Sequence, residues 1–563
     1  MVKNQEMALQ IKEMLLTLQE ALEEAKRYLY QDQKVFCEII SVMEEMLLAI
    51  DDVSEKETEE VYKELSTRCR NCLFSLRGLS LYAGQGRLED TEQKLEIELL
   101  PLLRIAFNRF YYEALVVGDQ EREARFWKDE ALELGKNAYT EEGMRTGYYK
   151  YDVTIYVVAY NKLEYTRLCV EHILKSMPDT LRCELILVNH GSEDGTREYF
   201  ESIQPNKQVD IKINSMDGFF IPFLIAEGKY ILGISNDVLL SKNAIELMYE
   251  CMEEDIDIGY IVPATPNISN LQGIVPAGIS YQSIEEFEQV TEHYNKRDKR
   301  LEECRTRLLN PLWMLRMEYY SNSSKSLAFI QAMLRQKQAM FGDDAQSLFF
   351  RRSGYKNILM KDVYCHHFGS VTLGKTYDYL GGRREFFKQY GVDAWEKGVC
   401  YTQKLFQSLI CNKADAETIL GINAGIGSDA LKIREELKAH TENTNVKLIN
   451  YTMEKRFLPD LKGISDEAAY VSDWKELRSR VLDEYDYILV CGGLEGIRSY
   501  QSELEYLYKH VKKNGVLIFK TADQTQAKWF KQRYKIKEQM VEAEDYICCE
   551  ERMRRQYYIY AKK

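Results

Sequence analysis

Several polar clusters in the middle of the chain carry residue types that do chemistry, and each falls where a hydrophobic run stops or a helix starts. They are Val158-Ala-Tyr-Asn161, Val188-Asn-His-Gly-Ser-Glu-Asp-Gly-Thr196, Ser235-Asn-Asp237, Phe341-Gly-Asp-Asp-Ala-Gln346 and His366-His-Phe-Gly-Ser-Val-Thr372. A lone carboxylate such as Asp237 either ligates a hard divalent ion or caps a helix. Adjacent carboxylates such as Asp343-Asp344 either accept a proton from a reacting hydroxyl or complement a helix dipole. His366 and His367 offer nitrogen to a metal or a phosphate, or simply fill a core. Farther on, Gly421-Ile-Asn-Ala-Gly-Ile-Gly427 has glycines where a backbone must approach a ligand closely. No cluster is decisive alone; their order along the chain carries the signal.

Strands and helices must hold these groups in place. Val153-Thr-Ile-Tyr-Val-Val158 and Glu184-Leu-Ile-Leu-Val188 are β-rich runs flanking a helical pattern over Tyr165–Ser176. That is the β-α-β rhythm of a mostly parallel sheet, whose ligands bind beyond the carboxyl ends of the strands. Before it, the chain to about residue 148 reads as helix. Ile11, Leu15, Leu18, Leu22, Ala25 and Leu29 step by four and three onto one face. From about Asp415 a second β-α-β rhythm begins, with strands predicted at Thr418–Ile422, Val446–Ile449, Tyr487–Val490 and Gly515–Phe519. The chain therefore reads as a helical domain over 1–148, an α/β domain over 149–400 and a Rossmann-like domain over 408–563, joined near 395–415.

Composition bounds the function. A chain of 563 residues, 45% hydrophobic and 29% charged, is an ordinary globular protein of about three domains. A net charge of -14 argues against nucleic-acid binding through a strong overall positive field. The 13 cysteines form no regular framework, and Cys69-Arg-Asn-Cys72 has no second pair to complete a zinc site; unpaired thiols suit a reducing compartment. The polar start of the chain and the lack of a long apolar run point to a cytoplasmic protein with no transmembrane segment, compatible with docking on a membrane surface.

Over about residues 152–392, the ordered clusters resemble the family 2 glycosyltransferases, inverting enzymes of the GT-A fold. The resemblance implies a nucleotide-sugar pocket built from Tyr160, Asn161, Asn189, Ser192, Asn236 and Asp237. Asn189 stands where aspartate is usual; its amide both donates and accepts, so uridine is expected, with thymidine or another base also compatible. Ser235-Asn-Asp237 matches the D-x-D or N-x-D motif with its first acid lost. Asp237 is then the acidic ligand of Mn²⁺ or Mg²⁺, joined by His367 of the H-x-G-S segment. Phe-Gly-Asp343-Asp344 matches the E-D pair, which makes Asp344 the base and Asp343 its neighbour. Ile261–Ala339 matches no motif and is where the family shapes its acceptor pocket; Trp313 there either stacks on a sugar or sits in the core.

The C-terminal pattern resembles S-adenosylmethionine-dependent methyltransferases, with Gly425 and Gly427 as remnants of the cofactor loop. Three departures, at Gly421, Asn423 and Asn450, point away from cofactor binding. The expected protein moves a hexose or N-acetylhexosamine from a nucleotide diphosphate to a glycan or protein hydroxyl. Such an arrangement suits bacterial surface-glycan or flagellin modification. Two other accounts stay open: an enzyme that also methylates, and a non-catalytic assembly scaffold. The N-terminal helices serve oligomerisation, partner docking or acceptor recognition.

Overall fold

The computed structural model describes residues 2–563 apart from 132–134, 269–271, 277, 322–333, 335–340, 370–377, 395–414, 442, 495–496, 498, 537–540 and 548–551. The expected domain junction therefore lies almost wholly outside the described residues, as do Ser370, Val371 and Thr372 of the histidine segment and part of the expected acceptor region. The chain divides into two compact units, each built from segments that are distant in sequence.

The first unit comprises Met1–Cys251, Pro311–Ala339 and Cys365–Gly374. It opens with helices Gln5–Tyr28, Gln33–Glu55 and Glu60–Gly84. Asn4 and Asp32 cap the first two by accepting hydrogen bonds from backbone N–H groups of the first turn, which satisfies donors the helix cannot use itself. The six apolar positions of the first helix and its C-cap, Ile11 to Leu29, are all buried. Each such leucine contributes on the order of 1.5–3 kcal/mol through burial.

The helices lead into a parallel sheet. Its strands are β1 (Tyr151–Ala159), β2 (Cys183–His190), β3 (Lys207–Ile211) and β4 (Gly228–Ser235). The order is β3-β2-β1-β4, with Leu312–Arg316 antiparallel on the far side of β4. The short β5 (Val238–Leu239) pairs antiparallel with His366–His367. Buried polar bonds fasten the helices to this sheet. Asn71 Nδ2 donates to the Ile213 carbonyl at 3.2 Å and its Oδ1 accepts the Ile213 N–H at 2.8 Å. Arg68 Nε donates to the buried carboxylate of Asp217 at 3.4 Å.

The second unit comprises Met252–Asn310, Met340–Tyr364 and Lys375–Lys563. Here Lys356–Tyr364 lies between a parallel neighbour, Ile258–Ala264, and an antiparallel one, Glu302–Cys304. The C-terminal part is a Rossmann-like sheet of seven strands. Their order is Glu467–Tyr470, Lys447–Thr452, Thr418–Ile422, Tyr485–Val490, Val511–Thr521, Arg552–Lys562 and Val541–Ile547. The first five run parallel, and Arg552–Lys562 is antiparallel to both of its neighbours. Leu420, Ile422, Ile488, Val490, Leu517 and Phe519 lie in its core. The fold is thus α/β, with a helical N-terminal region, a GT-A-like sheet and a C-terminal Rossmann-like sheet. Among the described residues, no helix is long and apolar enough to cross a membrane.

Candidate functional site

In the first unit the parallel register lines up the carboxyl ends of the strands. Ala159 sits opposite Asn189, Asn189 opposite Asp210, and Val158 opposite Ser235. From this row a continuous chain of hydrogen bonds runs through the predicted nucleotide residues. Asn161 N–H donates to Ser192 Oγ at 2.9 Å, and Ser192 N–H donates to Asn189 Oδ1 at 3.1 Å. Asn189 Nδ2 donates to Asp210 Oδ1 at 3.1 Å, and Asp210 N–H donates to Glu98 Oε2 at 2.9 Å. Asn161 Oδ1 accepts the Glu193 N–H at 2.9 Å, from a backbone held at a φ of 54°. Asn236 Nδ2 donates to Thr166 Oγ1 at 3.0 Å. Tyr160 is the open member of the set, 41% exposed.

Sequence reasoning brought Asn189 forward as a reader of the base. The structure shows both ends of its amide engaged with protein. Asp210 and Glu98 were missed: Asp210 ends a strand as Asn189 does, but Glu98 lies in a helix of the N-terminal segment and carries no motif. It is fully buried in a π-helical turn, Leu95–Leu99, beside Lys94 Nζ at 2.6 Å. Asp194 was also passed over. Its carboxylate accepts the Leu163 and Thr196 N–H groups, at 2.8 and 3.3 Å, at the start of two helices. His190 accepts the Ser215 N–H at 3.1 Å, and burial pushes its pKa down to about 4, so it is a neutral structural group.

Beyond β4 the antiparallel pairing of β5 sets His367 opposite Val238. This brings His367 Nε2 to 3.4 Å from Asp237 Oδ2, with 8% and 3% of the two residues exposed. The next helix begins at Ala244, too far along for Asp237 to cap. Among the described residues no cluster of three or more His, Cys, Asp or Glu side chains could hold a metal. One carboxylate oxygen and one imidazole nitrogen would suit a hard divalent ion that completes its shell with phosphate oxygens and water. His366 stacks edge-on against Phe368 at 4.7 Å. Trp313 belongs to the core: it stacks on Phe223 at 5.9 Å and meets Tyr156 edge-on, which removes it as a sugar platform. Cys69 and Cys72 are buried thiols whose pKa values burial pushes up, which disfavours the thiolate a metal or redox site needs.

In the second unit, Asp343 and Asp344 open the helix Gly342–Arg352. Arg307 Nε donates to Asp344 Oδ1, and Asn310 N–H donates to Asp343 Oδ2 at 3.2 Å. Burial, then the neighbouring Asp344 charge, pushes Asp343 up to about 6. Burial also raises Asp344, against the pull of Arg307. Adjacent carboxyls that are both raised above the ordinary carboxylate range share protons as a pair, a setting suited to proton transfer.

In the C-terminal module Gly425 and Gly427 take positive φ, 59° and 88°, in the turn before the helix Ser428–Thr441. Asn450 was expected at the end of its strand. It lies inside the strand, fully buried, and donates to Ser465 Oγ at 2.8 Å. The strand runs on to Thr452, so Met453 and Glu454 occupy the end. A side chain at Gly421 would meet Asn450 Oδ1 at 2.0 Å, so glycine there follows from asparagine on the neighbouring strand.

Comparison with known proteins agrees with the sheet. Residues 154–272 match the family described as Glycosyl transferase family 2. Glycosyltransferase GlyG of Streptococcus pneumoniae serotype 4 is 30% identical over 113 residues, 19% of this chain and 37% of that protein. The match thus spans little more than a third of that relative's length. Among solved structures, S. aureus TarS 1-349 in complex with UDP-GlcNAc is 14% identical, covers 42% of this chain and 66% of that one, and has a TM-score of 0.28. Mannosyltransferase PcManGT from Pyrobaculum calidifontis in complex with GDP-Man and Mn2+ is 15% identical, covers 49% and 73%, and also scores 0.28. The matched segment, in the middle of the chain, is similar to family 2 glycosyltransferases.

Proposed function

We propose that the chain is a metal-assisted, inverting glycosyltransferase that moves a hexose or N-acetylhexosamine from a nucleoside diphosphate, with uridine as the base, to a hydroxyl of a glycan or protein. The observation that carries this reading is the meeting of Asp237 and His367 at the carboxyl end of β4, within unit 1 and next to the aligned ends of β1 and β2. That pair would hold a divalent ion, which when bound would supply positive charge to the diphosphate leaving group. Tyr160 offers a face to the nucleotide, and the bonded set Asn161, Ser192, Asn189 and Asn236 fixes the loops around it. The acceptor oxygen forms its bond to the anomeric carbon as the carbon–diphosphate bond breaks, and the hydroxyl proton passes to Asp344.

For the C-terminal module we infer an architectural role. Asn423 supports it: its Nδ2 donates to the Gly492 carbonyl at 3.1 Å and its Oδ1 accepts the Met453 N–H at 2.8 Å. Three strand ends, where a cofactor would approach, are tied to one another by a side chain of the protein. A panel of nucleotide sugars with Mn²⁺ tests the transferase. Asp344→Asn is expected to abolish transfer and to leave nucleotide binding in place; full transfer by that variant would refute the assigned base.

A further inference from the structure

We propose that Asp460, in the C-terminal Rossmann-like module, is a positioning residue for the helix that carries Asp344; this rests on the transferase reading of Asp344 above. The Asp460 carboxylate is fully buried. Its Oδ1 accepts Arg351 Nε at 3.0 Å and Nη2 at 2.5 Å. Its Oδ2 accepts Arg352 Nε at 3.1 Å and Nη2 at 2.9 Å. One carboxylate thus takes two guanidinium forks from the last residues of the helix Gly342–Arg352. Arg351 lies two turns after Asp344, on the same helix face.

A second line of contacts runs back to Asp344. Arg351 Nη1 donates to the Thr306 carbonyl, and the next residue, Arg307, holds Asp344. Between these points Leu308 N–H donates to Ser347 Oγ at 2.9 Å, and Asn310 N–H reaches Asp343 at 3.2 Å. Residues 306–310 therefore form a strap along the helix. The C-terminal module grips the start of the strap and the residues just before it. Thr306 and Ser428 hydroxyls are 2.6 Å apart, and Cys304 N–H donates to Glu435 Oε2 at 3.0 Å. Lys432 and Glu303 form a buried ion pair at 2.7 Å.

These contacts are buried and backbone-close, unlike a solvated docking face. A Cβ on Gly463 would lie 1.9 Å from the Arg351 carbonyl oxygen, so the module touches the helix main chain itself. Removing the Asp460 charge leaves the buried Arg351 and the half-buried Arg352 guanidiniums to find new acceptors, and the helix end must move to supply them. A general base displaced by a fraction of an ångström loses rate while the donor still binds.

The test is steady-state kinetics of the full-length protein on whichever nucleotide sugar it turns over, for Asp460→Asn, Asp460→Glu and Asp344→Asn. The expected result for Asp460→Asn is a kcat lower by about tenfold or more with donor KM nearly unchanged, partly recovered in Asp460→Glu. A folded Asp460→Asn protein with wild-type kcat overturns the proposal, and so does a parallel loss of donor affinity. If Asp460→Asn does not fold, Arg352→Gln removes one fork at a side chain 25% exposed. A fall in kcat of about threefold with KM unchanged then supports the proposal, and wild-type kinetics overturn it. Loss of turnover in Asp344→Asn beside a normal Asp460→Asn sinks the positioning role alone. Full turnover in Asp344→Asn, or no turnover by the wild type, sinks the transferase reading and the positioning role with it.

Discussion

Asn189 and Asp210 face each other across the parallel strands β2 and β3, the amide of one donating to the carboxylate of the other at 3.1 Å. The pairing explains why asparagine stands at a position where aspartate is usual in the family this segment resembles. An aspartate there would set two carboxylates against each other in a buried row. Asn189→Asp is therefore expected to weaken nucleotide binding and lower stability, by about 1–3 kcal/mol for the lost bond alone. Calorimetry with UDP and Mn²⁺ checks this; tighter binding by the variant would show that position 189 reads the base directly.

Glu98 extends the same line into the N-terminal helices. Replacing it with Ala removes the acceptor of the buried Asp210 N–H. Nucleotide affinity is expected to fall by about tenfold, with little change in kcat, because the strand-end row loses its outer support. Titration of nucleotide into the full-length variant measures this, and unchanged affinity would reduce the helices to packing.

Asp343 predicts a pH dependence. Its carboxyl is raised to about 6 by burial and by Asp344, so the pair holds a proton below that pH and releases it above. Turnover is expected to rise as pH increases through about 6, and Asp343→Asn to remove that limb. Because the folded value lies above the unfolded one, the contribution to stability is present below about pH 4 and is lost as pH rises through about 6. A kcat that stays flat across this range would contradict the assignment.

Asp217 fastens the helices to the sheet. Its buried carboxylate lies 3.3 Å from Arg68 Nε and 3.7 Å from Arg109 Nε. Asp217→Ala leaves buried guanidinium charge without this partner and is expected to cost about 3–5 kcal/mol of stability in denaturant unfolding. A variant within about 0.5 kcal/mol of the wild type would show the pair to be dispensable.

The elements were legible in sequence where local pattern decides. The β-rich runs of β1 and β2 and the helical spacing of Ile11 to Leu29 all appear in the structure. What eluded sequence reasoning depends on partners far away in the chain. The bond from Asn189 to Asp210 was hidden because the two are neighbours only through strand register. Asn450 looked like a strand end because nothing local shows that the strand continues to Thr452. Asp460 carried no signal, since its meaning comes from Arg351 and Arg352 more than a hundred positions earlier.

The central claim is that Asp237 and His367 act together on the diphosphate of a sugar donor. Its most direct test is Mn²⁺-dependent turnover of a nucleotide-sugar panel by the wild type, Asp237→Asn and His367→Ala. The expected result is wild-type turnover that disappears with chelation, with each substitution lowering kcat by about 100-fold or more. Metal-dependent turnover that survives both substitutions unchanged would contradict the claim.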